Sequence, residues 1–414
     1  MEAVKKYTKD PLYVILALTL TFIPFALWVD SPQNIINGLW RILLYPDSLM
    51  VDYMYRGGPG AGIMNAVIVA IYCTTIMKLS KVKPGGIHVA ALWIIIAFAF
   101  FGKNILNITP IILGSFIYAK YKKEPFSKYV AISFFATCLS PIVTHMFFIH
   151  ENMSFAVSFI LAIIAGISIG FFLIPLAAQT AKSHEGFHLY NVGFAAGILS
   201  MFLAIILRNF NFYIAPVAYW HYGSNTQMLV MCLFISICLL VIGFAKNGKI
   251  SLKECFLDSK TMGDKLTTNE SLTYVNMGVT GIFVTLFTFF LGELNGPNVG
   301  GVLTIIGFVG IGKNMFNIWP VMVGCILAAR LFGWEITSTV LAIALYSSTL
   351  APIAAKFGPI WGIISGILHI SMASVIVNIH GGLNLYNNGA AGGFVAIFLL
   401  AVIRTFYKEK KSNT

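Results

Sequence analysis

The sequence predicts an all-α polytopic membrane protein: about fourteen transmembrane helices as two inverted repeats of seven, with short or broken helices at two Gly-Lys-Asn motifs. Three observations predict this: long apolar runs, a lopsided distribution of basic residues, and an internal duplication. Of 414 residues, 58% are apolar and only 10% charged, with a mean hydropathy of +0.84. A soluble chain carries roughly a quarter of its residues as charges, so most of this surface must meet lipid. A helix needs about 20 apolar residues to cross roughly 30 Å of hydrocarbon. Fourteen intervals qualify as candidates: 12–29, 60–78, 87–102, 105–121, 129–149, 154–178, 191–208, 226–245, 274–291, 297–311, 315–332, 336–356, 359–378 and 388–405. The first run has no small-residue cleavage site after it and reads as a retained helix, not a signal peptide.

Basic residues orient the spans. With the N-terminus in the cytoplasm and every interval crossing, 22 of the 27 Lys and Arg fall on the cytoplasmic side. The opposite side holds five: Arg41, Arg56, Lys103, Arg208 and Arg330. That is the asymmetry the positive-inside rule describes. The net charge of +12 is therefore an orientation signal and a contact with anionic lipid. It excludes a nucleic-acid footprint. The reading is a bacterial cytoplasmic (inner) membrane protein with both termini cytoplasmic.

The duplication is legible residue against residue. Gly102-Lys103-Asn104-Ile105-Leu106-Asn107-Ile108-Thr109-Pro110 recurs as Gly312-Lys313-Asn314-Met315-Phe316-Asn317-Ile318-Trp319-Pro320, an offset of 210. Gly114 matches Gly324 at the same offset, and Asn65 aligns with Asn276. A second block, His184 to Gly197, matches His380 to Gly393 at an offset of 196. The repeats are assigned to 1–211 and 212–414, with a cytoplasmic linker at about 246–273. Seven crossings per repeat is an odd number, so the second repeat must enter the membrane from the other side. Inverted repeats characterise many secondary transporters, whose sites lie near mid-membrane between the repeats.

The repeated blocks supply the candidate chemistry. Residues 297–311 form a helix of only about 22 Å, so Gly312-Lys313-Asn314 can break the chain below the membrane surface. Gly permits the turn and Asn caps the next helix, while Pro110 and Pro320 free carbonyls one turn earlier. Irregular backbone at membrane depth survives where it is buried or lines a wet cavity. The substrate-binding candidates are Lys103, Asn104 and Asn107 with Lys313, Asn314 and Asn317. The adjacent asparagines are the expected partners of the lysines. The competing reading is a tight hairpin whose lysines snorkel to the headgroups. From the second block come Tyr190, Asn191, Tyr386 and Asn387, as a polar lining or as capped loops beside small-residue packing faces.

All fifteen acidic residues fall in loops or at helix ends. Mid-membrane carboxylates mark proton and cation paths, so their lack favours a neutral or anionic solute. His145 and His369 are the candidates for a proton relay, or for plain hydrogen-bonded packing. Six scattered cysteines form neither a disulfide framework nor a zinc site. His184-Glu185-Gly186-Phe187-His188 fits the HExxH signature of zinc proteases. It sits in a loop, contains a Gly, and lacks an intramembrane Asp as third ligand. Gly307 to Lys313 fits seven positions of a P-loop, but Asn314 stands where Ser or Thr belongs and no strand precedes it.

Over its whole length the chain resembles a family of bacterial membrane proteins known only as a domain of unknown function, which implies no substrate. Asn298 to Gly301, Pro320, Gly324, and Gly382-Leu383 with Tyr386-Asn387 resemble the ordered motifs of urea transporters. Leu385 stands where that family has a Gly, and its Leu-Pro-x-x-Thr-x-Pro-Phe signature is missing. The resemblance implies channel-like passage of a small polar solute. The expected function is thus a transporter or channel for a small neutral or anionic solute. A urea or amide channel, an intramembrane zinc protease and a non-transporting scaffold are the alternatives. No enzyme activity, cofactor or metal is expected. The expected partners are the solute and the lipid bilayer, and a homo-oligomer is compatible with the pattern.

Overall fold

A computed structural model describes residues 10–47, 49–148, 154–209, 216–246 and 250–406. Several sequence assignments lie outside these residues. They are the repeat boundary at 211/212, the orienting Lys5, Lys6, Lys9, Lys249, Lys408, Lys410 and Lys411, and the acids Glu2, Glu151 and Glu409. The described residues are helical, with a single isolated bridge between Val51 and Tyr219.

Among the described residues, ten helices are long and apolar enough to cross a membrane. They are α1 (Pro11–Val29), α4 (Pro59–Leu79), α7 (Val130–Phe147), α8 (Phe155–Ser183), α9 (Asn191–Asn209), α10 (Asn225–Lys246), α13 (Glu270–Leu291), α16 (Ser338–Phe357), α17 (Pro359–His380) and α18 (Asn387–Phe406). Four more are apolar but shorter: α5 (Gly86–Phe98), α6 (Ile105–Tyr121), α14 (Gly296–Ile311) and α15 (Met315–Leu331). Each of the fourteen intervals predicted from hydropathy thus carries helix, and ten have spanning length. Between them lie α2 (Pro32–Leu43), α3 (Tyr53–Gly57), α11 (Leu252–Asp258) and α12 (Lys265–Thr268).

The short helices are the centre of the molecule. Nearly every side chain of α5 and α14 is buried, which is why both read as unbroken apolar runs without an amphipathic stripe. They pack side by side because glycines let the backbones touch. A Cβ on Gly86 would lie 1.9 Å from the Gly310 carbonyl oxygen, and one on Gly307 would lie 2.3 Å from Trp93 Cβ. One on Gly300 would come within 2.8 Å of the Ala97 carbonyl, and one on Gly296 within 2.7 Å of the Phe100 carbonyl. As numbers rise along one helix they fall along the other, so α5 and α14 run antiparallel.

The next layer repeats the device. A Cβ on Gly114 of α6 would lie 2.1 Å from the Ile167 carbonyl of α8. One on Gly324 of α15 would lie 2.2 Å from the Ile363 carbonyl of α17. Pro110 fits over Gly166 and Pro320 over Gly362. Helix association in lipid depends on such close van der Waals packing.

The segments expected as loops do more than connect. Residues 44–47 and 49–57 fold back under the Gly102 break, where the Tyr53 N–H donates to the Phe100 carbonyl. Residues 250–269, read from sequence as linker, fold as α11 and α12 under the Gly312 break. There the Gly263 N–H donates to the Ile311 carbonyl.

This packing gives a stability prediction. Gly86→Val and Gly324→Leu drive a side chain into fixed backbone and should cost about 1–3 kcal/mol or more. Gly292→Ala is the control, because Gly292 is extended and only the Leu341 side-chain tip is near its Cβ position. Detergent-solubilised variants compared by thermal unfolding should show large drops for the first two and little change for the third.

Candidate functional site

Each central lysine is presented by a helix that stops and restarts. Helix α5 tightens over its last turn and Gly102 takes φ +83°, while Gly312 takes φ +115° after α14. Only glycine adopts such angles freely. The Lys103 N–H then donates to the Phe98 carbonyl at 3.1 Å, and the Lys313 N–H to the Phe308 carbonyl at 3.1 Å. Asn104 and Asn314 cap the following helices, and Asn107 and Asn317 return the bond by accepting from the cap N–H groups at 3.0 and 2.9 Å. This capping box satisfies otherwise orphaned donors at the start of each buried helix. The amide nitrogens of Asn107 and Asn317 also donate to the carbonyls of Gly102 and Gly312.

The asparagines are therefore fully used in holding the breaks, and they do not partner the ammonium groups as the sequence suggested. The lysines cross to the other half of the chain. Lys103 Nζ donates to the Tyr386 hydroxyl at 2.7 Å, and Lys313 Nζ to the Tyr190 hydroxyl at 2.5 Å. Lys313 also donates to Ser348 Oγ at 2.8 Å. Lys103 Nζ lies 4.5 Å from the Tyr386 ring centroid and 5.0 Å from that of Phe98. Lys313 Nζ lies 4.3 Å from the Tyr190 centroid and 5.0 Å from that of Phe308. Phe98 and Tyr386 pack edge-to-face at 4.6 Å, Phe308 and Tyr190 at 4.7 Å. Both lysines are wholly buried, and neither belongs to an ion pair among the described residues. Cation–π contacts with desolvated lysines contribute about 2 kcal/mol.

The tyrosines stand where two helices begin. Asn191 Nδ2 donates to the Ala177 carbonyl at 2.7 Å and Asn387 Nδ2 to the Ala373 carbonyl at 2.9 Å. Their oxygens meet His184 Nε2 and His380 Nε2, each at 2.9 Å. So the second repeated block anchors α9 and α18 to the helices before them. The two helix starts touch: a Cβ on Gly193 would lie 3.0 Å from Gly389 Cα. Of the ten predicted binding residues, Lys103, Tyr386, Lys313 and Tyr190 meet at the centre, and the six asparagines hold them there. Phe98, Phe308 and Ser348 were missed, although Phe98 and Phe308 sit at the repeat offset of 210.

Two vestibules approach this centre. One, about 410 Å³, runs from His88, Ser127 and Lys128 past Phe135 to Tyr190 and Tyr386. The other, about 310 Å³, runs from Trp334 and Thr337 past Ile343 to Asn387. Lys128 follows α6 and Trp334 follows α15. Because α5 and α14 are antiparallel, these mouths lie at opposite ends of the bundle. Between them is an enclosed void of about 10 Å³, bounded by Phe98, Tyr190, Tyr346 and Tyr386. That holds no more than one water.

A family model matches residues 31–209 and 258–405, most of the chain. The chain belongs to the family described as Protein of unknown function (DUF1576). The matched residues of this DUF1576 protein include both Gly-Lys-Asn breaks and both Leu-Tyr-Asn starts, and leave out α10. No curated protein and no solved structure matches it.

The remaining candidates sit apart from the lysines. His369 Nε2 meets Asn388 Oδ1 at 3.0 Å, and His145 donates to the Asp47 carbonyl. In the HExxH stretch, His188 Nδ1 meets Thr349 Oγ1 at 3.0 Å. Glu185 turns outward to a two-pronged pair with Arg404, which holds its carboxyl below the ordinary value. The Glu that a zinc protease would need as base is thus facing away from both histidines. Two acids departed from expectation. Asp47 and Asp52 lie in a connecting segment, as read from sequence, yet are completely buried.

The two tyrosines should differ in weight. Tyr190→Phe leaves Lys313 its bond to Ser348, whereas Tyr386→Phe removes the hydroxyl to which Lys103 donates. Hydrogen bonds to charged groups contribute about 1.5–3 kcal/mol, so Tyr386→Phe should be the more destabilising by an amount of that order in thermal unfolding. Equal losses would contradict the pairing.

Proposed function

We propose that this protein carries a small polar solute, neutral or anionic, across the cytoplasmic membrane, with the site at the interface of two inverted repeats. One observation carries the reading: each half lends its lysine to the other half's tyrosine, with one cavity reaching both tyrosines and another, from the opposite end, reaching Asn387 beside Tyr386. Antiparallel α5 and α14, the paired capping boxes and the offsets of 210 and 196 support the inverted arrangement. Two buried lysines with no carboxylate partner among the described residues would hold a full charge only when a counter-charge is supplied, which favours a ligand with negative charge or a strong dipole. An unpaired buried charge is costly, and such a ligand would supply the missing partner. The water-sized void between the vestibules argues for a carrier whose Lys–Tyr contacts part and reform in turn, and against a standing pore. In this reading both termini lie on the cytoplasmic side with the Lys128 mouth.

Both parts are testable. Lys103→Met and Lys313→Met keep the stem and remove the charge, so each should reduce solute flux at least tenfold in proteoliposomes while expression stays near normal. Wild-type flux from both variants would move the site elsewhere. For topology, single cysteines introduced by Lys123→Cys and Glu335→Cys should be labelled by an impermeant maleimide from opposite faces of the membrane. Labelling from one face would end the inverted-repeat model.

A further inference from the structure

The two breaks are built alike but are buttressed by different electrostatics. Under the second break, α11 places Asp258 and Ser259. Asp258 Oδ1 accepts from Lys265 Nζ at 2.7 Å, its Oδ2 accepts from Asn276 Nδ2 at 3.0 Å, and the Ser259 carbonyl accepts from Asn317 Nδ2 at 2.9 Å. That carboxylate has its ammonium. Under the first break the acid is Asp47. Its Oδ1 accepts from the Tyr53 hydroxyl at 2.8 Å and its Oδ2 from Asn107 Nδ2 at 2.8 Å, while its N–H donates to Thr144 Oγ1 at 3.1 Å. No Lys or Arg pairs with it among the described residues. The titratable groups that face it are Tyr53 from α3 and His145 from α7, and α6 contributes only the neutral Asn104 and Asn107. Burial pushes its carboxyl up to about 7, against the lowering pull of Tyr53, Asn107 and Thr144.

A carboxylate buried without a cation must acquire one or be protonated. A metal ion fits poorly, because both oxygens already face hydrogen-bond donors, whose positive ends would repel it. A proton fits. The Tyr53 hydroxyl also accepts from Asn104 Nδ2 at 3.2 Å, and it can turn to accept from a new Asp47 O–H. A cavity of about 420 Å³, lined by Asn104, Asn107, Thr144 and Tyr72 among others, reaches the same network.

We propose that Asp47 is a reversible proton-binding site under the first break, and that its protonation state is felt at Lys103. The link is short. Asn107 Nδ2 bridges Asp47 Oδ2 and the Gly102 carbonyl, which also accepts from Ser140 Oγ at 2.7 Å. When a proton from water forms the Asp47 O–H bond, the carboxylate's hold on Asn107 weakens and the turn that presents Lys103 is released from one side. The second break, locked by Asp258–Lys265, has no such response, so the device is one-sided: one proton per chain. That the proton drives solute movement rests on the transport reading above; that it binds does not.

Infrared difference spectroscopy of the purified full chain, titrated through neutral pH in lipid, is the test. The carboxylic-acid C=O stretch should grow as pH falls through about 7. The component near 7 should be lost in Asp47→Asn, leaving that of buried Asp52 near 6, shift in frequency in Asp47→Glu, and persist in Asp258→Asn. The Glu variant keeps the acid and guards against a misfolded Asn variant. A component near 7 that survives in Asp47→Asn and is unmoved in Asp47→Glu overturns the proposal, as does the absence of any band titrating near neutrality. If the band behaves as expected but no solute moves in proteoliposomes, the proton site stands and the transport reading falls.

Discussion

Backbone that leaves the helix inside a packed interior has no water to hydrogen-bond with, and each unsatisfied group there costs about 1–3 kcal/mol. Much of this fold follows from meeting that constraint twice, at Gly102 and at Gly312. The Asn-x-x-Asn capping boxes close the donors on one side of each break. The short segments 44–47, 49–57 and 250–269 close the carbonyls on the other. Glycines let α5 lie against α14 and α6 against α8 at backbone contact. The breaks, in turn, are what aim two lysines inward instead of toward headgroups.

Once aimed inward, the lysines impose a second dependence. Lys103 finds its hydroxyl acceptor in the other half, at Tyr386, while Lys313 divides between Tyr190 of the other half and Ser348 of its own. Asp52 adds a third crossing contact by accepting from the Gly296 N–H at the start of α14. The halves are therefore not two units leaning together, since each completes the other's interior. A rearrangement that opened one vestibule while closing the other would have to exchange these bonds in sequence.

Much of this was legible in the sequence, for a physical reason. Apolar runs and glycine turns report on local solvent and local backbone, so helix positions and the two breaks could be read directly. The duplication placed Lys103 opposite Lys313 and Tyr190 opposite Tyr386 in register. What could not be read was the pairing across halves. The asparagines beside each lysine looked like its partners, but an Asn at a helix start is claimed first by its own backbone. Nor could the burial of Asp47 be read, because its segment is polar enough to pass for a surface loop. Only the neighbours folded over it, Thr144 and Asn107, remove it from water.

The crossed lysines also bear on how the protein is made. Lys103 and Tyr386 are separated by 283 positions, which at 5–20 residues per second is roughly 15–60 s of synthesis. For most of that interval α5 lacks its antiparallel neighbour, and for all of it Lys103 lacks its acceptor. Such an intermediate is exposed to degradation and mispairing, and it must be sheltered by lipid headgroups or by the insertion machinery until the last two helices arrive.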